Sequence, residues 1–240
     1  MLDIIAAVTL TTLAFLIPAV LIAATPLPAA ARGRLAVGLL AWFMLLIALG
    51  ATGLFDPMNG GGTRAVGAAV VLPVIVGLIA ARYSAAVRAF IAGVPLAWLA
   101  AIHLGRLFAI FFLMLYAVGR LPPTFALVAG WGDILIAVAA PLVAWTLYRR
   151  AAGARGLALT WNTLGFADLV LAVTLGVGSA VDSPVRFIYE AASSGTMSSL
   201  PWLIVPGFMV PLYLMTHLAI YHRLSRRRET LGNMRLSGAV

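Results

Sequence analysis

The sequence predicts an all-α fold, a polytopic bundle of seven transmembrane helices. Hydrophobic residues make up 63% of the 240-residue chain and charged residues only 10%, whereas a soluble domain carries roughly 25% charged residues. Apolar runs of about 20 residues, the length that one membrane crossing needs, recur along the chain. Seven runs are predicted, at 4–24, 35–55, 66–82, 94–118, 124–147, 157–179 and 199–222. They form one transmembrane domain at 1–225, followed by a short Arg-rich tail at 226–240.

The first run is expected to remain in the protein as a helix. The residues before it, Met1 to Asp3, contain an acid and no base, whereas a cleavable signal peptide begins with basic residues. Prolines inside five of the seven runs predict kinked helices, which a bundle tolerates because neighbouring helices satisfy the freed backbone groups. These prolines are Pro18, Pro73, Pro95, Pro141, Pro206 and Pro211.

Two connections between the runs are distinctive. Asn59–Gly62 predicts a flexible turn, and because no lysine follows its glycines it is not a phosphate-binding loop. The segment 180–198 is the one long loop between runs. It is expected to form either a lid over an outward-facing cavity or a short interfacial helix around Pro184–Ala192.

The distribution of arginine predicts the orientation of the bundle. Twelve arginines fall on one side: Arg32, Arg34, Arg82, Arg88, Arg149, Arg150, Arg155, Arg223, Arg226, Arg227, Arg228 and Arg235. The other side has Arg64, Arg120 and Arg186, and Arg106 lies inside a run. The richer side is expected in the cytoplasm, so the N-terminus lies outside a bacterial inner membrane and the C-terminus inside the cell. Because the arginines occupy short loops, the net charge of +9 does not indicate nucleic-acid binding.

The residue types that the sequence lacks exclude several functions. The chain has no cysteine, which excludes disulfides, thiolate catalysis and cysteine-ligated metals. All its basic residues besides histidine are arginines. Without lysine the protein cannot form the Schiff base that holds retinal in other seven-helix proteins.

Three charged residues lie at nearly one predicted depth, close to the middle of the membrane. Arg106, Asp133 and Asp168 are each about nine to twelve residues from the predicted outer ends of their runs. A helix rises about 1.5 Å per residue, so the three residues differ in depth by only a few ångströms. One such residue costs roughly 2.5–3.5 kcal/mol at the centre of a transmembrane helix. The three are therefore expected to face inward and to compensate one another. Small residues one turn away from both aspartates predict tight helix interfaces there.

This set has a functional and a structural interpretation. One guanidinium against two carboxylates leaves excess negative charge, which a proton or a ligand could neutralise. The functional interpretation is a small-solute or proton-linked transporter in which Arg106, Asp133 and Asp168 form the binding centre. The structural interpretation is a permanent ion-paired clasp that holds three helices together.

Two histidines support an alternative function. His103 lies one turn before Arg106, and His217 lies on the last run between Tyr213 and Tyr221. Two imidazoles on different spans are what a b-type haem needs as axial ligands. The alternative is therefore a haem protein for electron transfer or sensing. Otherwise each histidine hydrogen-bonds a carbonyl or a tyrosine.

A local repeat contains a third possibility. Gly130–Val138 and Gly165–Val173 share the order glycine, aromatic residue, small residue, aspartate and then apolar residues. Gly130-Trp131-Gly132-Asp133 resembles the G-x-G-D motif of intramembrane aspartyl proteases. That resemblance implies a peptidase with Asp168 as the second aspartate. Here the motif helix comes first, whereas in those families it comes second.

Three further stretches resemble uncharacterised bacterial multi-pass membrane proteins. They are Leu121–Asp133, Trp161–Gly165 before Asp168, and Val210–Leu212 before His217. The resemblance extends over the C-terminal half of the chain and implies a membrane bundle without an activity.

The predicted topology can be tested with reporter fusions. Alkaline phosphatase inserted at 59–62 is expected to be active, because that turn lies outside, and at 152–154 to be inactive. A fluorescent protein at the C-terminus is expected to fluoresce in the cytoplasm. A dark C-terminal fluorophore together with active phosphatase at the same position would contradict the predicted orientation.

Overall fold

The computed structural model describes residues 1–59 and 61–237, with side chains for 1–58 and 61–225. Helices dominate this part of the chain and no strand occurs in it. The α-helices are α1 (Leu2–Ala23), α2 (Ala29–Ala51), α3 (Gly62–Tyr83), α4 (Ala85–Gly93), α5 (Leu96–Ala101), α6 (Ile110–Ala117), α7 (Pro123–Arg149), α8 (Ala154–Ser179) and α9 (Val210–Ser237). Short 3-10 helices occupy Pro57–Asn59, Ile102–Ala109 and Ser194–Ser198.

Six helical segments within the described residues are long and apolar enough to cross a membrane. They are Leu2–Ala23, Ala29–Ala51, Gly62–Tyr83, Leu96–Ala117, Pro123–Arg149 and Ala154–Ser179. They coincide with the first six predicted runs, and they give the chain the helices of a multi-pass membrane protein. The seventh crossing and the orientation of the bundle stay predictions.

The last predicted run does not form one regular helix. Residues 199–203 are irregular, a π-helical turn follows at Val205–Met209, and α9 then begins at Val210. Pro206 lies within the π-helical turn, and proline disturbs the regular ladder of helix hydrogen bonds. The backbone of α9 continues as far as Ser237. The side chains of the predicted tail, 226–240, lie outside the described residues.

The fourth predicted run is also interrupted. Between α5 and α6 the chain winds as a 3-10 helix over Ile102–Ala109, within the membrane-length helical segment Leu96–Ala117. Side chains three residues apart eclipse one another in a 3-10 helix. His103 and Arg106 therefore still share one face, as the sequence predicts. Gly105 lies between them, and a β-carbon there would come within 2.6 Å of the Tyr213 hydroxyl.

Helix α7 lies at the centre of the bundle. It packs along α8 on one side and along α5, α6 and the intervening 3-10 segment on the other. Helix α3, by contrast, buries only Gly62 and Val70. Large apolar side chains such as Leu135 and Val138 on α7 are exposed, as expected for a surface that contacts lipid.

One end of the bundle, here named the loop face, carries segment 180–198, and two acids of this segment bind the starts of α3 and α7. The Asp182 carboxylate accepts hydrogen bonds from the Thr63 backbone N–H (2.6 Å) and hydroxyl (2.7 Å) at the start of α3. Glu190 accepts in the same way from Thr124 at the start of α7, with the Thr124 N–H 3.1 Å from its Oε2. Both acids thus satisfy free N–H groups at helix N-termini. Gly62, with φ +46°, is needed there because a β-carbon would overlap the Asp182 carboxylate.

The interfacial helix expected around Pro184–Ala192 does not form, because this segment is irregular up to the 3-10 helix at Ser194–Ser198. Burial alone would raise the pKa of Asp182, but the hydrogen bonds from Thr63 hold that pKa below its usual range. Asp182 is therefore ionised at neutral pH and keeps 180–198 attached to α3.

At the opposite end of the bundle, here named the tail face, Arg223 joins α9 to the end of α4. Its guanidinium Nη1 donates to the carbonyls of Ile91 (2.8 Å) and Val94 (2.7 Å), which fixes the end of α4 against α9. On the loop face, Arg120 correspondingly bonds Asp3 (2.9 Å). Helices α1 and α6 therefore have their predicted outer ends together, as alternating spans require.

Candidate functional site

Arg106 is the hub of a buried ion-pair network. Its Nε donates to Asp133 Oδ1 on α7, and its Nη2 donates to Asp168 Oδ2 on α8. Its Nη1 donates to the Gly165 carbonyl (3.2 Å) and lies 3.4 Å from His217 Nε2 on α9. The structure therefore brings together all three predicted charged residues. We refer to Arg106, Asp133 and Asp168 as the charge centre.

The three side chains differ in their access to the surface. The side chain of Arg106 is 0% exposed, that of Asp133 is 4% exposed and that of Asp168 is 13% exposed. An ion deprived of water at such a position is tolerated when its partners and hydrogen bonds compensate the lost hydration. Arg106 meets this condition through four polar neighbours on three helical elements.

Glycines make the close approach of these elements possible. A β-carbon at Gly132 on α7 would overlap the Asp168 carboxylate. This carboxylate lies against the backbone of α7 where it accepts from Arg106. A β-carbon at Gly165 would come within 2.7 Å of the His217 ring. These are the small residues of the local sequence repeat. Their role is to let α8 and α9 approach Arg106.

The hydrogen bonds of His217 define its tautomer. The Asn162 side-chain oxygen can only accept, so the N–H at His217 Nδ1 donates to it at 2.8 Å. The Asn162 amide in turn donates to the His217 carbonyl (3.2 Å). The neutral ring then presents Nε2 as an acceptor toward Arg106. Sequence analysis did not identify Asn162, although an amide one turn before Gly165 on an apolar helix was a visible signal.

His103 lies next to His217 with a different set of partners. The Thr216 hydroxyl donates to the Tyr213 carbonyl (2.8 Å), so it accepts from His103 Nε2 (3.1 Å). His103 Nδ1 and the Tyr213 hydroxyl are fully buried and have no partner among the described residues. Buried polar atoms of this kind are commonly satisfied by internal water.

The two histidines do not suit the haem alternative. Their ring centroids are 4.2 Å apart, with an interplanar angle of 43°. Bis-histidine ligation requires an iron and the plane of the macrocycle between the two imidazoles, and rings in direct contact leave no such gap. No group of three or more potential ligands among the described residues has the arrangement of a metal site.

The two aspartates also differ from a peptidase dyad. In such a dyad two carboxyl groups share one proton and act on a peptide between them. Here Asp133 and Asp168 both accept from one guanidinium, and this favours two charged acceptors over a proton shared between carboxyls. The geometry therefore gives no support to the protease resemblance.

A cavity connects the loop face with the charge centre. It has a volume of about 80 Å³ and lies between α3, α6, α7, α8 and segment 194–210. Thr63, Asp182 and Ser194 lie at its loop-face end, and Asp133 lies at its inner end. The side chains between them are mostly apolar: Val66, Val70, Phe112, Phe125, Leu169, Ala172, Val173, Val177, Met197, Val205 and Val210. Neither Arg106 nor any other cationic residue lines the cavity within the described part of the chain.

Comparison with known proteins identifies a family. A family model described as a domain of unknown function (DUF8737) matches residues 63–225. The chain belongs to this family. The DUF8737 segment contains the whole charge centre, both buried histidines and the cavity, whereas α1 and α2 lie before it. No curated protein and no solved structure matches the chain.

Replacing Arg106 tests the energetic coupling within the charge centre. Arg106→Ala leaves two buried carboxylates without a cation, so it is expected to lower the free energy of unfolding by about 3–5 kcal/mol. Adding Asp133→Asn should recover part of that loss, since one uncompensated charge is removed. Denaturant unfolding in detergent micelles measures both. Arg120→Ala, which breaks a half-exposed pair with Asp3, is the control and should cost below about 1 kcal/mol. Strictly additive losses would show that the groups are not coupled.

Replacing Gly132 tests its positioning role. Gly132→Ala is expected to displace Asp168 from Arg106 and to cost about 1–3 kcal/mol, because the added methyl group enters occupied space. Asp168→Asn should then have little further effect in the Gly132→Ala background. Gly38→Ala is the matched control, since no atom lies within 4 Å of a β-carbon built there. Equal effects of the two alanine substitutions in unfolding experiments would contradict this role.

Proposed function

We propose that this protein is a proton-linked transporter of a small solute, with the charge centre as its binding site. It would cross a bacterial inner membrane seven times, with the N-terminus outside and α9 as the last crossing. The observation that carries the proposal is the cavity, which extends from the loop face to Asp133 in the middle of the bundle. A purely structural clasp needs no such route to its charged groups.

The charge of the centre suits a reversible proton. Arginine stays protonated at all relevant pH values, so two ionised carboxylates beside Arg106 leave one negative charge. A single bound proton makes the centre neutral. Because charge in the membrane interior is costly, the neutral and the charged form would favour different surroundings, as alternating access requires. Intramembrane carboxylates in transporters and pumps act in this way.

The access route favours a proton or a cation over an anion. Arg106 is fully buried and does not line the cavity. An anion from the loop face would meet Asp133 first and would have to displace a carboxylate to reach the guanidinium. A proton needs only an oxygen of Asp133. The role of Arg106 is then to stabilise the aspartates, not to bind substrate.

The histidines extend the proposed proton route from the charge centre toward the tail face. His217, Asn162 and His103 lie on the tail-face side of Arg106, judged by the direction of the helices that carry them. His217 approaches Arg106 directly, and its ring contacts that of His103. The two unpartnered atoms, His103 Nδ1 and the Tyr213 hydroxyl, are suited to hold water along this route. The two histidines would then accept and pass on a proton that leaves the charge centre toward the tail face.

A pH step on a solid-supported membrane tests this function. Protons that enter from the loop face and bind at mid-membrane cross part of the electric field, so the wild-type protein should give a transient displaced charge. Asp133→Asn should abolish it, because the cavity then ends at an amide that does not titrate. Asp182→Asn, an acid at the mouth, is the control and should retain the transient. A wild-type transient no larger than that of Asp133→Asn would identify the centre as a permanent clasp.

A further inference from the structure

We infer that the solute is a small organic monocation with an apolar body, which enters the cavity from the loop face and binds Asp133. This inference rests on the proposed function and specifies its substrate class. It comes from the chemistry of the cavity lining, the unused oxygen of Asp133 and the size of the space.

The lining combines one carboxylate at the inner end with apolar walls. Asp182, the other acid, lies at the mouth and is engaged by Thr63. A sugar or another polyol would need several polar partners along its length, and the walls between the two acids are mainly valine, phenylalanine, alanine and glycine. An anion would be repelled by both acids. A cation with an apolar body satisfies the walls and the inner end together.

Two aromatic rings strengthen this preference. Phe112 and Phe125 both line the cavity, with ring centroids 5.5 Å apart. The face of an aromatic ring carries negative potential and attracts ammonium groups, including quaternary ones. Together with the carboxylate of Asp133 they provide the elements of an organic-cation site.

Asp133 keeps an oxygen available for such a ligand. Arg106 bonds Oδ1, and no described residue hydrogen-bonds to Oδ2. A cation can therefore approach Asp133 without breaking its pair with Arg106. The bound cation supplies the same single positive charge as a proton. The two occupants are then alternatives, and one proton leaves the centre for each cation that enters.

The volume limits the size of the solute. A water molecule needs about 10–15 Å³ of this kind of space, and the cavity offers about 80 Å³. A ligand of roughly five to eight non-hydrogen atoms therefore fits. Tetramethylammonium is within this limit and tetrabutylammonium is far above it. Tetramethylammonium has no titratable proton, so its passage cannot be confused with diffusion of a neutral amine.

Several titratable groups surround Asp133 and set the conditions of the test. Arg106 faces it from the 3-10 segment and Asp168 from α8. His217 and Tyr213 approach the same centre from α9, and His103 contacts His217. On the side of α3, Asp182 lies at the mouth of the cavity, and Arg64 of α3 is close enough to lower the pKa of Asp182.

Competition between the cation and the proton tests the inference. The displaced charge after pH steps is recorded on supported membranes with increasing tetramethylammonium. At saturating cation, each tenfold increase in its concentration should lower the half-saturation pH by about one unit, because ten times more protons are needed to compete. Tetrabutylammonium should leave the half-saturation pH unchanged.

A cavity-filling variant supplies the matched comparison. Gly67 lines the cavity, and no atom lies within 4 Å of a β-carbon built there. A β-carbon fits there, and the rest of a leucine side chain takes up volume that the cation needs, whereas a proton needs only water beside Asp133. Gly67→Leu should therefore keep an Asp133-dependent proton transient and lose the tetramethylammonium shift. Gly38→Leu, in equally open space away from the cavity, should keep both. In vesicles with an acidic lumen, external tetramethylammonium should dissipate the pH gradient with wild-type protein and Gly38→Leu only.

The two proposals fail in different ways. An Asp133-dependent transient that tetramethylammonium does not shift at any concentration overturns the cation inference and leaves proton binding intact. The absence of an Asp133-dependent transient overturns both. A shift that persists in Gly67→Leu places the cation outside the cavity and also contradicts the inference.

Discussion

The guanidinium of Arg106 is fully buried and needs negative partners, and much of the surrounding structure follows from this need. Two aspartates from neighbouring helices supply those partners, and the Gly165 carbonyl takes a further N–H. An unpaired charge there would be costly on the scale of a domain's whole stability, roughly 5–15 kcal/mol. The relative positions of α7, α8 and the Ile102–Ala109 segment are thereby tightly constrained.

Close backbone approach is the second requirement, because salt bridges between helices have a short reach. Gly132 lets the Asp168 carboxylate cross α7, and Gly165 makes room for the His217 ring. The local repeat is thus the packing surface of the charge centre. In a bilayer, where apolar burial gives little drive for helices to associate, small residues and polar contacts of this kind hold a bundle together.

In the proposed function, the same arrangement alternates between two charge states. Two carboxylates and one guanidinium differ from neutrality by one unit, and the cavity brings Asp133 within reach of the loop face. Segment 180–198 on this face is attached through Asp182 and Glu190 to the starts of α3 and α7. All of these residues lie within the part of the chain that matches the DUF8737 family, so the family segment alone contains the charge centre and the cavity.

The sequence by itself determined the membrane class of the fold, six helix positions and the three charged residues at one depth, because length, apolarity and 1.5 Å per residue are local properties. Only the tertiary structure decided which groups meet. Lipid-facing and core-facing sides of these helices are both apolar, so helix rotation and lateral order leave little trace in the pattern. For that reason the Asn162–His217 pair, the contact of His217 with His103, the 3-10 segment that carries Arg106 and the cavity to Asp133 could not be predicted. Each depends on side chains from helices that are distant in sequence, and tertiary packing alone places them side by side.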